Sequence, residues 1–213
     1  MKIKNIFLTS MLILCMAAPF SSALASGIAV IQSGEGDDSR MEIEYLNKDK
    51  VRMNVNSEDG DNTYMLVRDG KSYIVSNAGG RTMVMDVAQL GGMAQGMGMD
   101  VGATDSFKQE LLQLKPTGKS EIVAGYEGDV YSMTWKDDSG THTEEAVLSG
   151  HKHVREFSDS WMSMAEIMSK AVSQQGMSDD SIMEFLKREG KGILRLGKDF
   201  HIVSIESKSI PAS

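Results

Sequence analysis

Strict alternation of apolar and polar side chains runs through residues 41–87 and limits the fold more than any other feature. Met41, Ile43 and Tyr45 alternate with Glu42 and Glu44, and Val51, Met53 and Val55 alternate with Arg52, Asn54 and Asn56. A period of two means strands with one buried face and one wet face. The pattern continues through residues 63–68, 72–77 and 81–87. Asn47-Lys48-Asp49-Lys50 reads as a turn, and Asp59-Gly60, Asp69-Gly70 and Gly79-Gly80 supply the positive φ angles of tight hairpins. Closely spaced strands joined this way predict an antiparallel meander or barrel rather than βαβ units.

The second half mixes helices with strands. A short helix is expected where Thr104 or Asp105 caps, Phe107, Leu111 and Leu114 share a face, and Lys115-Pro116 ends the run. Strands follow at 121–124 and 129–136, where Tyr131, Met133 and Trp135 point one way. Asp137-Asp138-Ser139-Gly140 turns the chain into 141–149. Phe157, Trp161, Met164, Met168 and Val172 then fall at helical spacing. Ser158, or a Ser163–Glu166 capping box, starts that helix. Ser178 caps a second one, with Asp179 and Asp180 in its first turn, Ile182, Phe185 and Leu186 on its apolar face and Gly190 at its end. A hairpin at 192–196 and 200–207 turns at Gly197-Lys198-Asp199. With no repeat and no long linker, residues 26–213 read as a single α+β domain.

The first 25 residues read as a cleaved secretory signal. Lys2 and Lys4 precede an apolar stretch at 6–20, and Ala23-Leu24-Ala25 is an A-x-A cleavage site before Ser26. A periplasmic protein is the simplest destination. Cys15, the one cysteine, lies inside the signal between Leu14 and Met16, which does not fit a lipoprotein signal. The mature chain therefore has no disulfide and stands on its core. Removing Lys2 and Lys4 takes the formal charge from −8 to −10. Such an excess of acid argues against nucleic acid and against an anionic membrane surface as partners. No later apolar run is long enough to span a membrane. Fourteen of the 17 methionines lie beyond the signal, an unusual enrichment.

The candidate chemistry is correspondingly narrow. The stretch GGMAQGMGMD at 91–100 offers three thioethers, Met93, Met97 and Met99, a donor set suited to copper(I). His151 and His153 add imidazoles two residues apart. The four glycines of the stretch favour a pliable apolar flap over a preorganised metal cage. An enzyme is not expected: there is no G-x-S-x-G elbow, H-E-x-x-H, P-loop or dinucleotide fingerprint, and the paired carboxylates fall in turns, strand edges and helix caps. Apolar binding remains. A curved sheet has a hollow face that an amphipathic helix covers. Its expected lining is Met53, Met65, Met83, Met85, Met133 and Trp135 from strands, with Trp161, Met164 and Met168 from the helix. Methionine adapts its shape easily, which suits a variable acyl chain or partner. A packed core that uses methionine for volume is the plain alternative, and an envelope-interaction or stress-sensing protein is a third reading.

The run IEYLNKDKVRMNVNSEDGDNTYMLVRDGKSYIVSNAGGRTMVMDV resembles a family of exported bacterial proteins of unknown function grouped with the LolA/LolB-like lipoprotein carriers. The shared pattern is a strand ending in K-x-K-V-R-M, an aromatic and methionine strand before D-G-K, an aromatic strand, and M-x-M-D. Gly118-Lys119, Ala124-Gly125-Tyr126, Val130-Tyr131 and the run from Lys152 to Phe157 extend it. The resemblance implies an incomplete β-barrel whose apolar hollow is capped by helices. In the carriers that hollow takes lipoprotein acyl chains. No ligand residue carries over, because no motif for one is recognisable.

Overall fold

A computed structural model of the chain describes residues 26–34, 40–55, 62–90, 110–137, 139–172 and 180–208. The alternating segments form β1 (Gly27–Ser33), β2 (Arg40–Asn47), β3 (Lys50–Val55), β4 (Asn62–Arg68), β5 (Lys71–Ala78) and β6 (Arg81–Asp86). Five more strands follow: β7 (Glu110–Val123), β8 (Tyr126–Asp137), β9 (Gly140–Ser149), β10 (Gly192–Leu196) and β11 (Phe200–Ser207). Two helices, α1 (Lys152–Val172) and α2 (Asp180–Glu189), are inserted between β9 and β10. All eleven strands belong to one antiparallel sheet, ordered β6-β5-β4-β3-β2-β1-β11-β10-β9-β8-β7. The sheet is not closed, since β6 and β7 stand at opposite ends of that order.

The meander is built as its turns require. Asp69 and Gly70 have φ of 53° and 75°, and Gly79 and Gly80 have 57° and 74°. Two successive positive φ angles make the two-residue turn whose twist matches that of the flanking strands. The final hairpin matches the expected bounds. The strand β1 had no alternation long enough to announce it. It becomes central because β2 and β11 pair with it on either side, leaving Ala29 and Ile31 fully buried.

Two expectations are corrected. The segment from Leu111 to Pro116 is strand, not helix. A register shift between Leu111 and Gln113 lets Leu111 oppose Trp135 and Leu114 oppose Met133, so residues three apart share one face. A bulge thereby mimics helical spacing. The Thr104, Asp105 and Phe107 part of that expectation lies outside the described residues. The long helix also begins earlier than Ser158 or Ser163. The Ser149 hydroxyl accepts the His151 N–H at 3.3 Å, and Arg155 N–H bonds the His151 carbonyl at 3.1 Å. At the other end of the insertion, α2 stops at Gly190 as expected. The Lys191 N–H reaches the Leu186 carbonyl and the Gly190 N–H reaches that of Lys187, with Gly190 at φ 61°.

The sheet curls strongly. Tyr126 on β8 donates its hydroxyl to the Ile205 carbonyl on β11 at 3.4 Å, and Arg195 on β10 meets Glu121 on β7 at 2.7 Å. Each pair is three strands apart, roughly 14 Å on a flat sheet. Pairing of β10 with β11 is confined to Arg195–His201 and Leu196–Phe200. Below those pairs α1 packs against β10, and Ile193 donates its N–H to Ser158 Oγ at 2.8 Å. With 21 residues α1 is about 31 Å long. It crosses from β10 over β11, β2 and β3 to β5.

Two apolar clusters result. One joins Ala29, Ile31, Ile43, Tyr45, Val51 and Val67 to Phe157 and Met164 of α1, and also takes in Val130, Val147 and Leu194. The other joins Tyr131, Met133, Ala146, Leu148 and Ile193 to Leu186 of α2. Alternate residues of β8 and β9 feed different clusters, so both faces of that part of the sheet are covered.

Candidate functional site

Strand register places the methionines of the first half. Ala29 opposes Ile43, Ile43 opposes Met53, Met53 opposes Met65, Met65 opposes Ile74, and Ile74 opposes Met85. This is one continuous row on one face of the sheet. A second row on the same face, Tyr45–Val51–Val67–Ser72, is buried beneath α1. Burial falls along the first row. Ala29 and Ile43 are 0% exposed, whereas Met53, Met65, Ile74 and Met85 are only half-buried, and Met83, two residues from Met85, is 55% exposed. Trp161 and Met168 of α1 are also half-buried, and both pack on the cluster that Met41, Met53 and Phe200 border. The Trp161 ring lies 6.1 Å from Phe200 and 6.5 Å from Phe157. An incompletely covered apolar shelf therefore lies on this face, with α1 over its more deeply buried neighbouring row.

The expected lining residues divide over this geometry. Met53, Met65 and Met85 share the row, Met83 continues the same face outward, and Trp161, Met164 and Met168 belong to the helix above it. Met164 is 2% exposed and serves packing. Met133 and Trp135 are not with them. They lie on the face of β8 that feeds the second cluster, where Met133 is 8% exposed and Trp135 stacks on His142 at 4.3 Å. Period-two alternation assigns residues of one strand to a common face, yet says nothing about which face of a distant strand is continuous with it. Met93, Met97 and Met99 lie outside the described residues. Sequence reasoning missed Met41, Ile74 and Phe200: Met41 keeps the parity of Ile43 and Ile74 lies between Met65 and Met85, whereas only the tertiary fold brings Phe200 beside Trp161.

Three polar clusters adjoin the core. On β2 Tyr45 stands 5.9 Å from Phe157, and burial pushes its hydroxyl up to about 12, with Glu156 and Tyr126 adding to the effect. Beside it the His151 ring lies 4.6 Å from Tyr126 and 5.3 Å from His153, and His153 shares a hydrogen bond with Ser207 at 2.9 Å. The histidines sit at the start of α1. Among the described residues no group of three His, Cys, Asp or Glu side chains is placed to hold a metal ion. The β8–β9 turn brings together Ser139, His142 and Asp137. Ser139 Oγ and Asp137 Oδ1 both address the same nitrogen, His142 Nε2, at 2.9 and 3.2 Å. A proton relay needs the acid and the nucleophile on opposite ring nitrogens. This arrangement instead ties the turn. The Ser139 hydroxyl holds the Asp137 carboxyl below its ordinary value; burial opposes this, and the Ser139 N–H and His142 assist. Ser72 Oγ is buried with no hydrogen-bond partner among the described residues.

No protein-family model matches this chain, and neither a curated protein nor a solved structure matches it. No described helix is long and apolar enough to cross a membrane.

Proposed function

We propose that this is an exported, non-enzymatic binding protein of the periplasm that takes a lipid, an acyl chain or another apolar ligand on the shelf beside α1. One observation carries the reading. A single cross-strand row passes from fully buried Ala29 and Ile43 to half-buried Met53, Met65, Ile74 and Met85, without a change to polar residues where cover is lost. An ordinary sheet face becomes polar where it meets water. Half-covered Trp161 and Met168 oppose the row from the helix, and flexible thioethers suit a ligand of variable shape. The incomplete barrel implied by the resemblance to LolA/LolB-like carriers supports the reading at the level of fold.

Native mass spectrometry of gently purified protein, with competitive displacement of a fluorescent fatty acid, tests the proposal. The expected result is a lipid adduct and displaceable probe binding that Met65→Lys weakens by about tenfold or more, the equivalent of about 1.4 kcal/mol. Protein that never carries an adduct and never binds the probe overturns it.

A further inference from the structure

A second concave feature borders α1 and does not involve the apolar shelf. Lys152, Arg155, Glu156 and Asp159 recur at helical spacing, away from the side on which Val154, Phe157, Trp161 and Met164 meet the core. Together with Leu186, Lys187, Gly190 and Lys191 at the end of α2, they line a cleft of about 400 Å³. That volume suits a small ligand. Four of the lining residues are cations and two are anions, in a chain whose net charge is −8.

The cations are not equally committed. Lys152 pairs with Glu156 at 3.5 Å. Lys191 is held by Asp129 at 2.5 Å and by the Tyr131 hydroxyl at 2.8 Å, with its ammonium 4.9 Å from the Tyr131 ring centre. Burial works against that ammonium, but these two partners keep its pKa above the ordinary lysine value. Arg155 and Lys187, by contrast, have no side-chain hydrogen bond or ion pair among the described residues. Arg155 Nη1 reaches to 3.7 Å from where a Cβ on Gly190 would stand, so the guanidinium extends toward the end of α2. The carboxylate these cations face is Asp159. Its neighbours are Arg155 and Glu156 on its own helix, Lys187 on α2 and Lys48 in the β2–β3 turn. Burial outweighs the three cations and raises Asp159 above the ordinary carboxylate value.

We propose that this cleft binds a small phosphate-type oxyanion, either free or as the head group of a lipid, gripped by Arg155 and Lys187 with Lys191 behind them. A guanidinium matches two oxygens of such a group at once, and an ammonium adds a point charge. The negative charge of Asp159 opposes the ligand. Binding therefore draws a proton onto Asp159, and affinity rises as pH falls.

The test is calorimetry and backbone NMR titration with inorganic phosphate, with sulfate as the probe in the pH series. Expected are saturable shifts confined to the start of α1 and the end of α2. Arg155→Ala and Lys187→Ala each weaken binding about fivefold, about 1 kcal/mol apiece, and the double variant removes it. Asp159→Asn tightens binding and flattens its pH dependence. Sedimentation with phosphatidylglycerol vesicles, but not phosphatidylcholine vesicles, assigns the group to a lipid when the double variant abolishes it. Saturable binding of phosphate without vesicle binding assigns it to a free anion. Absence of both kinds of binding overturns the proposal. So does equal binding by a double variant that melts like the wild type. Fatty-acid probe binding should be unchanged in the double variant, which separates this site from the shelf.

Discussion

Gly192→Ala tests the contact on which the position of α1 depends. A Cβ at this position would stand 2.6 Å from the Val154 carbonyl oxygen and 2.7 Å from both the Val154 carbonyl carbon and Ser158 Oγ. Carbon atoms rest about 3.5 Å apart or more, so the helix backbone must retreat by about 0.8 Å. Two of the three obstructing atoms are backbone, and no rotamer change relieves them. Overpacking of this kind costs about 1–3 kcal/mol. The retreat also lengthens the bond from Ile193 N–H to Ser158 Oγ, now 2.8 Å, and a buried donor left unpaired costs a further 1–3 kcal/mol or so. Together these come to about 2–6 kcal/mol, or a melting temperature lower by about 10 °C for a domain of this size. Urea and thermal unfolding followed by circular dichroism measure the change, and Trp161 fluorescence, read in a Trp135→Phe background, reports whether α1 has moved. Gly150→Ala is the control, since the nearest atom to a Cβ there is 4.0 Å away. A Gly192→Ala protein as stable as the wild type, with unshifted Trp161 emission, would refute the docking of α1 on β10.

Tyr45 should give the fold an alkaline limit. Its hydroxyl is raised from the ordinary value of about 10 to about 12, so the folded state holds a proton that the unfolded state has lost between those values. Stability should be unaffected below pH 9 or so, then fall by about 2–3 kcal/mol as pH rises through the folded value, and Tyr45→Phe should remove the loss; an equal fall in that variant refutes the assignment. Ser72→Ala removes a buried hydroxyl with no hydrogen-bond partner among the described residues and should stabilise by up to about 1 kcal/mol in urea titration. A loss of that size would mean the hydroxyl is bonded. Glu121→Gln breaks the two-pronged contact with Arg195, at 3.1 and 2.7 Å, that ties β7 to β10. It should cost about 1 kcal/mol, an effect that shrinks in high salt because Glu121 is partly exposed.

The parts of the fold that were legible in the sequence are those set by neighbours in the chain. Alternation with Asp69-Gly70 and Gly79-Gly80 dictates the β4–β5 and β5–β6 hairpins, because such pairs readily adopt two successive positive φ angles. The apolar stripe of α1 and the glycine stop of α2 are equally local. The first half of the candidate shelf was legible for the same reason: Met53, Met65 and Met85 keep one parity in adjoining antiparallel strands.

What required the tertiary structure was every choice between local alternatives of similar energy. A bulge gave the strand β7 the spacing of a helix. Ser158 has the chemistry of a helix cap, yet it lies inside α1 because its hydroxyl is needed by Ile193 across the β10 contact. Ile28 to Ile31 became the middle of the sheet only because strands from both ends of the chain pair with it. Met133 and Trp135 share a face with each other but not with Met53, since sheet curl and the parting of β10 from β11 decide which faces meet. The cleft between α1 and α2 brings Arg155 to Lys187, 32 positions away in the chain, each an exposed charge on its own helix. Periodicity fixes which side chains share a surface, whereas pairing over long separations decides what that surface meets.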